Sequence, residues 1–386
     1  DEILVYEDVP ITIPAALLLA NDTDIDRDPL EISGWRLPNF AEQFFDPFTG
    51  SLDRDENGDF VYTPALNETR ENGFYYYVTD NADGTTEGYV DITIIAVNDQ
   101  PSAVPDSVAS TPLDVPLVVR IADILANDFD VDDDPDGPKS ISFVGVDSAS
   151  VGTATVRDGF IVLDVPAGYS GPVELVYRIT DTEGVEDTTT ITAIVEGSYA
   201  RLLTGTPQDD LLIGNALNET VEGLAGADII ESGAGSDTVR GGAGEDTILA
   251  GDGDDLIDGG DDADSIEGGA GFDTVTFEGS NVAVRVDLAA RIGQGGFAQG
   301  DLITGVEGLI GTDWNDTLQG GLADNRIEGR AGRDLIEGRD GDDTLLGETG
   351  NDTLVGGAGA DSIDGGDDAD TADYRGSAAG VTVSLA

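Results

Sequence analysis

Aspartate returns every nine residues through the second half of this chain. The frame is Gly-Gly-x-Gly-x-Asp-x-(aliphatic)-x, plainest at Gly241-Gly242-Ala243-Gly244-Glu245-Asp246-Thr247-Ile248-Leu249. Eight consecutive nonapeptides fill 205–276 and seven fill 311–373. The sixth-position acids of the first block are Asp210, Asp228, Asp237, Asp246, Asp255, Asp264 and Asp273. Those of the second are Asp316, Asp334, Asp343, Asp352, Asp361 and Asp370. Carboxylates are hard oxygen donors suited to cations such as calcium. Acid–base catalysis would need two acids singled out in an apolar setting, and nothing in the pattern does that.

The elements that must position these acids follow from the same frame. Glycine permits the φ > 0 conformations of tight turns and lets carbonyls face inward around an ion. The eighth positions are Leu212, Val221, Ile230, Val239, Ile248, Ile257, Ile266 and Val275, then Leu318, Ile327, Ile336, Leu345, Leu354 and Ile363. One aliphatic side chain per short strand lines only a narrow core, so the arrangement predicts a right-handed parallel roll of turn–strand–turn–strand coils. Two nonapeptides complete a coil, and alternate turns stack at the inter-strand spacing of about 4.8 Å. Carboxylates that close repel unless a cation lies between them. The expected stacked pairs are Asp228 with Asp246, Asp237 with Asp255, Asp246 with Asp264, and Asp255 with Asp273. The second block offers Asp316 with Asp334, Asp334 with Asp352, Asp343 with Asp361, and Asp352 with Asp370.

Over 205–386 the chain resembles the RTX (repeats-in-toxin) nonapeptide family. That resemblance implies several calcium ions, held between successive turns by the aspartates and by turn carbonyls such as those of Gly241, Gly259, Gly268, Gly338 and Gly356. Glu219 and Asn325 depart from the sixth-position Asp, and Gln208, Leu217, Trp314 and Ala323 from the fourth-position Gly. These departures fall in the opening nonapeptides of each block, which are expected to be caps with weak or absent ions. Asp262 and Asp368 also occupy a glycine position. Flexible, carbonyl-rich turns predict selectivity for calcium over magnesium.

Charge argues for the same chemistry. Against 79 acidic residues stand 17 basic ones, a net charge of −62. This excludes nucleic acid, or an anionic membrane, bound through a basic surface. Divalent cations are the direct remedy for such self-repulsion. Cysteine, histidine and methionine are absent, which removes disulfides, His-based catalysis, the HExxH zinc motif and the triads of secreted proteases and lipases. No apolar run is long enough to span a bilayer. The opening Asp1-Glu2-Ile3-Leu4 has no signal-peptide pattern, and a start without Met is read as a fragment or processed product.

Residues 1–99 alternate in the manner of short strands: Ile11–Ile13, Phe60–Tyr62, Tyr75–Val78 and Tyr89–Val97, with a hairpin turn at Asp55-Glu56-Asn57-Gly58. Residues 100–197 repeat the theme. Val9-Pro10…Leu19-Ala20-Asn21-Asp22 returns as Val115-Pro116…Leu125-Ala126-Asn127-Asp128, and Val78-Thr79-Asp80 as Ile179-Thr180-Asp181. The join is Val97-Asn98-Asp99-Gln100-Pro101. These features resemble tandem cadherin-like, or bacterial immunoglobulin-like, β-sandwich domains of large surface adhesins. The resemblance implies calcium sites at Asp22, Asp24, Asp26 and Asp28, at Asp128, Asp130, Asp132 and Asp134, and at the linker residues Asn98 and Asp99. Alternating acids put carboxylates on one side of an extended segment. Trp35 is expected in the sandwich core.

The expected fold is all-β. It comprises two sandwiches (1–99 and 100–197), a first roll block (198–276), a β insert (277–310) that extends or caps the roll, and a second block (311–373). Residues 374–386 begin another insert, because Tyr374-Arg375-Gly376-Ser377 and Val381–Ala386 repeat Phe277–Ser280 and Val284–Ala289 at a fixed offset of 97 residues. A longer parent chain is therefore expected. The expected function is a non-enzymatic, calcium-stabilised extracellular segment of a large RTX adhesin. Family resemblance implies type I secretion from a Gram-negative bacterium and folding after export. The alternatives are a self-assembling surface-layer or filament subunit and a stability module of a longer RTX enzyme. The partner classes left open are self-association into a fibre or lattice and a surface or polysaccharide target. Membrane insertion is not expected.

Overall fold

A computed structural model of the chain describes residues 1–38, 48–80, 84–132, 140–199 and 201–374. Asp134 and the start of the second insert copy, from Arg375 onward, lie outside the described residues. The described fold is all-β apart from short helical turns at Ala15–Leu18, Ile121–Ile124 and Gly296–Ala298. Two compact units are present: Asp1–Ala103 with Asp128–Ser142 and Ile179–Asp187, and Val104–Asn127 with Phe143–Arg178 and Thr188–Ala386.

In the first unit, alternation along Phe60–Thr63 and Asn72–Thr79 turns Phe60, Tyr62, Phe74 and Tyr76 inward. One sheet has the order Glu2–Tyr6, Thr85–Ile95, Asn72–Thr79, Glu31–Arg36. The other has the order Ile11–Ile13, Phe60–Thr63, Ser51–Arg54. Trp35 packs edge-on against Phe60 at 6.3 Å between centroids. Gly58 adopts φ 85° in the hairpin turn after Asp55.

The sandwich strands of the second unit repeat this plan, with Val173, Leu175 and Tyr177 buried along Gly171–Thr180. The helical turns Ala15–Leu18 and Ile121–Ile124 precede the two Leu-Ala-Asn-Asp signatures, and each buries a single side chain, Leu18 or Ile124. Four residues carry no readable periodicity, so neither turn was expected.

Beyond residue 201 the described residues wind into a parallel roll with a 9-stranded and an 11-stranded sheet. Val221 pairs in register with Val239 and Val239 with Ile257 on one wall. On the other wall Ile230 pairs with Ile248 and Ile248 with Ile266. Every one of these side chains is buried in a continuous aliphatic core.

That core passes straight through the insert. Ile266 pairs with Ile303, and Val275 with Leu309, which pairs in turn with Ile327. Between them a hairpin, Arg285–Asp287 with Ile292–Gln294, enters the larger sheet, and its first strand runs parallel to Thr317–Gln319. The insert extends the roll, and both blocks form one stack. The nonapeptides at 311–328 are consequently interior turns, which corrects the expectation that they are terminal caps.

Candidate metal sites

In the first block, Asp228, Asp246 and Asp264 form one ladder of turns, and Asp237, Asp255 and Asp273 the other. The Asp228 amide donates to Oδ1 of Asp246 at 2.8 Å, and the Asp246 amide to Oδ1 of Asp264 at 2.9 Å. Asp237 with Asp255 (2.8 Å) and Asp255 with Asp273 (3.0 Å) repeat the contact. In the second block the same bond joins Asp316 to Asp334 (2.7 Å), Asp334 to Asp352 (2.8 Å), Asp343 to Asp361 (3.2 Å) and Asp352 to Asp370 (2.9 Å). All eight pairs expected from the nine-residue frame are thus brought together.

Only one oxygen of each carboxylate is used this way. Oδ2 of Asp228, Asp237, Asp246, Asp255, Asp264, Asp273, Asp334, Asp343 and Asp352 is buried and accepts no hydrogen bond within the chain. Such atoms cost free energy unless something else satisfies them. The first-position glycines complete the cradle. A side chain at Gly241 would collide with Oδ2 of Asp246 and the carbonyl of Gly259, and one at Gly338 with Oδ2 of Asp343 and the carbonyl of Gly356. Gly259, Gly268 and Gly356 are likewise pressed against Asp264, Asp273 and Asp361. Orphaned carboxylate oxygens facing bare backbone fit a hard, oxygen-seeking cation.

Burial sets the electrostatics. It raises Asp246, Asp264 and Asp334 to about 7, and Asp228, Asp273 and Asp343 to about 6. Neighbouring carboxylates add to the effect, as Asp264 and Asp228 do for Asp246. Glu219, in a sixth position, is pushed to about 7 by burial.

Other turns close on themselves. Oδ2 of Asp210 accepts the Thr206 amide (2.5 Å) and hydroxyl (2.8 Å). Asp316 takes the same two groups from Thr312 and also the Val284 amide. Asn325 accepts the Gly321 amide at 2.7 Å and donates to the Glu307 carbonyl at 3.1 Å. These turns leave no orphan for a cation to satisfy.

Several positions were missed by the sequence reading. The Asp264 amide donates to Asp301 and the Asp273 amide to Glu307, so two insert acids stand where the next sixth-position residues belong. The signal was present in Asp301-Leu302-Ile303 and Glu307-Gly308-Leu309, each an acid two residues before an aliphatic. Leu224, Arg330, Arg339 and Glu348 take second-position glycine places at φ 85°, 74°, 80° and 73°. Asp262 and Asp368, already placed at a glycine position by the sequence, take their fourth-position places at φ 79° and 81°.

A separate cluster forms in the first unit. Carboxylate oxygens of Glu7, Asp99 and Asp132 lie within 4.8 Å of one another, the only such trio among the described residues. The Asp99 amide donates to Asp132 at 2.7 Å, Asn98 to Asp181 at 2.6 Å, and the Asp132 amide to Asp130 at 3.0 Å. Asp128 and Asp130 are buried. Burial first, then the charges of Asp132, Asp8 and Asp130, raise Asp99. Glu7 and Asp181 were not anticipated.

The first-copy loop behaves differently. Asp24 accepts the Asp26 and Asp28 amides at 2.7 and 3.1 Å, and those bonds hold its carboxyl below the ordinary range. Asp22 reaches Tyr76 at 3.5 Å. Asp22, Asp24 and Asp26 join no carboxylate trio among the described residues. The second loop meets Asp99, whereas beside the first loop Asp1 accepts from Asn21 and Tyr76.

Comparison with known proteins follows the same division. The family model for a cadherin-like domain matches residues 2–95 and 97–196. The model for the RTX calcium-binding nonapeptide repeat (4 copies) matches 213–248, 240–275, 310–345 and 337–372. No curated protein matches. Similar solved structures include human CDH23 EC21-23, at 15% identity and TM-score 0.32, covering 50% of this chain and 72% of that one. The human Desmocollin-1 ectodomain is 14% identical with TM-score 0.28, over 56% of this chain and 42% of that one. Extracellular cadherin domains 1-4 of protocadherin gamma B7 are 13% identical with TM-score 0.28, over 50% and 49%.

Proposed function

The chain belongs to the cadherin-like domain family and carries RTX calcium-binding nonapeptide repeats, and on that premise we propose that it is a calcium-stabilised, structural or adhesive extracellular segment of a large type I secreted adhesin. Its architecture is that of a calcium-dependent structural or adhesive module. The observation that carries the reading is the ladder of buried aspartates, each with one oxygen turned to a neighbouring amide and the other unpartnered.

When bound, calcium supplies the positive charge that this ladder lacks. The chain's own groups do the rest. Stacked amides orient each Oδ1, glycines keep space beside Oδ2 of Asp228, Asp246, Asp264, Asp273, Asp334, Asp343 and Asp352, and the aliphatic row excludes water from the interior. In a calcium-poor cytosol, ionised carboxylates at this spacing repel and favour the unfolded, export-competent chain. Outside, sites at the weak end of protein affinities, roughly 10⁻⁴–10⁻³ M, still fill, and binding confined to the folded form shifts the folding equilibrium.

The domains found are structural or adhesive rather than catalytic. No helix among the described residues is long and apolar enough to cross a membrane. The test is far-UV circular dichroism of the full chain, titrated with calcium after chelation, with magnesium as control. A cooperative gain of β signal with calcium alone supports the reading. An identical spectrum in chelator and in calcium removes it.

A further inference from the structure

The insert carries an acid that occupies the geometric place of a repeat aspartate although no nonapeptide surrounds it. Asp301 precedes strand Leu302–Thr304 as Asp264 precedes strand Ser265–Ala270. The Leu302 amide donates to the Asp264 carbonyl at 2.8 Å, as the Ser265 amide does to Asp246. The Asp264 amide donates in turn to Oδ1 of Asp301 at 3.0 Å. Oδ2 of Asp301 accepts nothing within the chain, and neither does Oδ2 of Asp264. Both residues are 2% exposed.

A third half-buried acid stands nearby. Asp258, on strand Leu256–Asp261 beneath the Gly296–Ala298 turn, has an unpartnered Oδ1. Its charge opposes ionisation of both Asp264 and Asp301. Arg240 faces Asp258 from the paired strand, whereas the charges acting on Asp264 and Asp301 are all carboxylates. Buried acids with free oxygens are the setting in which a bound cation stabilises a fold. The family match stops at 275 and resumes at 310, so it assigns nothing to this position.

We propose that Asp301 is a cation ligand and that, with Asp264, it forms an off-motif site for a divalent, oxygen-seeking ion of the calcium class within the insert. This rests on the calcium reading of the nonapeptide turns. Its consequence is that one ladder of cation sites runs past the last nonapeptide of the first block, so the insert orders together with the repeats.

The experiment is native mass spectrometry of the full chain at saturating calcium, comparing wild type with Asp301→Asn, which keeps an oxygen for the Asp264 amide. The expected result is one ion fewer in the variant. An unchanged count overturns the proposal. Hydrogen exchange on the wild-type chain covers the case in which the variant fails to fold. Protection across residues 292–304 must rise with calcium alongside that of 228–273, and full protection of the insert in chelator overturns the proposal. If residues 228–273 themselves ignore calcium, the wider reading fails as well. If they respond while the ion count stays constant, Asp301 alone is refuted.

Discussion

The guanidinium of Arg339 grips both carboxylate oxygens of Asp287, at 2.7 and 2.8 Å, and also donates to the Gly320 carbonyl at 3.0 Å. Asp287 ends the first strand of the insert hairpin, whereas Arg339 lies near the end of strand Leu335–Asp340 in the second block. A second arginine, Arg330, pairs with Glu278 and Asp313. Protein-borne cations therefore tie the insert to the second block beside the self-closed turns at Asp316 and Asn325. Elsewhere along the roll the unpartnered carboxylates call for a metal.

Arg339→Gln should weaken the roll by about 2 kcal/mol, the scale of hydrogen bonds to charged groups, because both partners are mostly shielded from solvent. Arg339→Gly should cost less, since glycine relieves the φ of 80°. Chemical denaturation of both variants at saturating calcium measures the difference. A glycine variant weaker than the glutamine one would mean that the backbone there carries no strain.

Open and self-closed turns should respond differently to loss of charge. Asp246→Asn removes an anionic donor whose Oδ2 has no partner in the chain, and calcium affinity follows ligand charge. The calcium midpoint for folding should rise roughly tenfold, about 1.4 kcal/mol. Asp210→Asn keeps an oxygen for the Thr206 amide and hydroxyl, so its midpoint should barely move. Equal shifts for both variants, read by circular dichroism, would refute the distinction.

The roll was legible because one nine-residue phrase encodes turn, strand and core together, and Val221, Ile248 and Leu354 stand where it puts them. Asp301 and Glu307 escaped because only one of the phrase's three glycines survives before each of them, Gly296 and Gly305. Asn325 was misplaced for a related reason. A break in the repeat looks like an end, while the pairing of Leu309 with Ile327 shows that the stack goes on. Glu7 joins Asp99 and Asp132 across more than ninety residues, and no local pattern announces such a meeting.

That trio offers its own test. Asp99 carries a raised pKa, and its Oδ2 accepts no hydrogen bond within the chain. If the cluster holds calcium, Asp99→Asn should abolish calcium-dependent protection of Asp128–Asp132 in hydrogen exchange. Asp24→Asn should leave that protection intact, because the Asp24 carboxylate is already engaged by its own loop amides. Protection that persists in Asp99→Asn would exclude this residue as a ligand.

Acid should partly replace calcium in the roll. Burial lifts Asp246, Asp264 and Asp334 to about 7 in the folded chain, against about 3.9 for an unfolded aspartate. Between those values the folded state binds more protons than the unfolded one, so calcium-free stability falls as pH rises. The contribution is complete below about pH 4 and is lost as pH climbs through about 6 to 7. Calcium binds the ionised carboxylates, so its apparent affinity must climb over the same window as protons leave. Circular dichroism in chelator should show more β structure near pH 4.5 than near pH 7.5, with calcium removing the difference. Equal β content at both pH values in chelator would mean that the buried aspartates titrate normally.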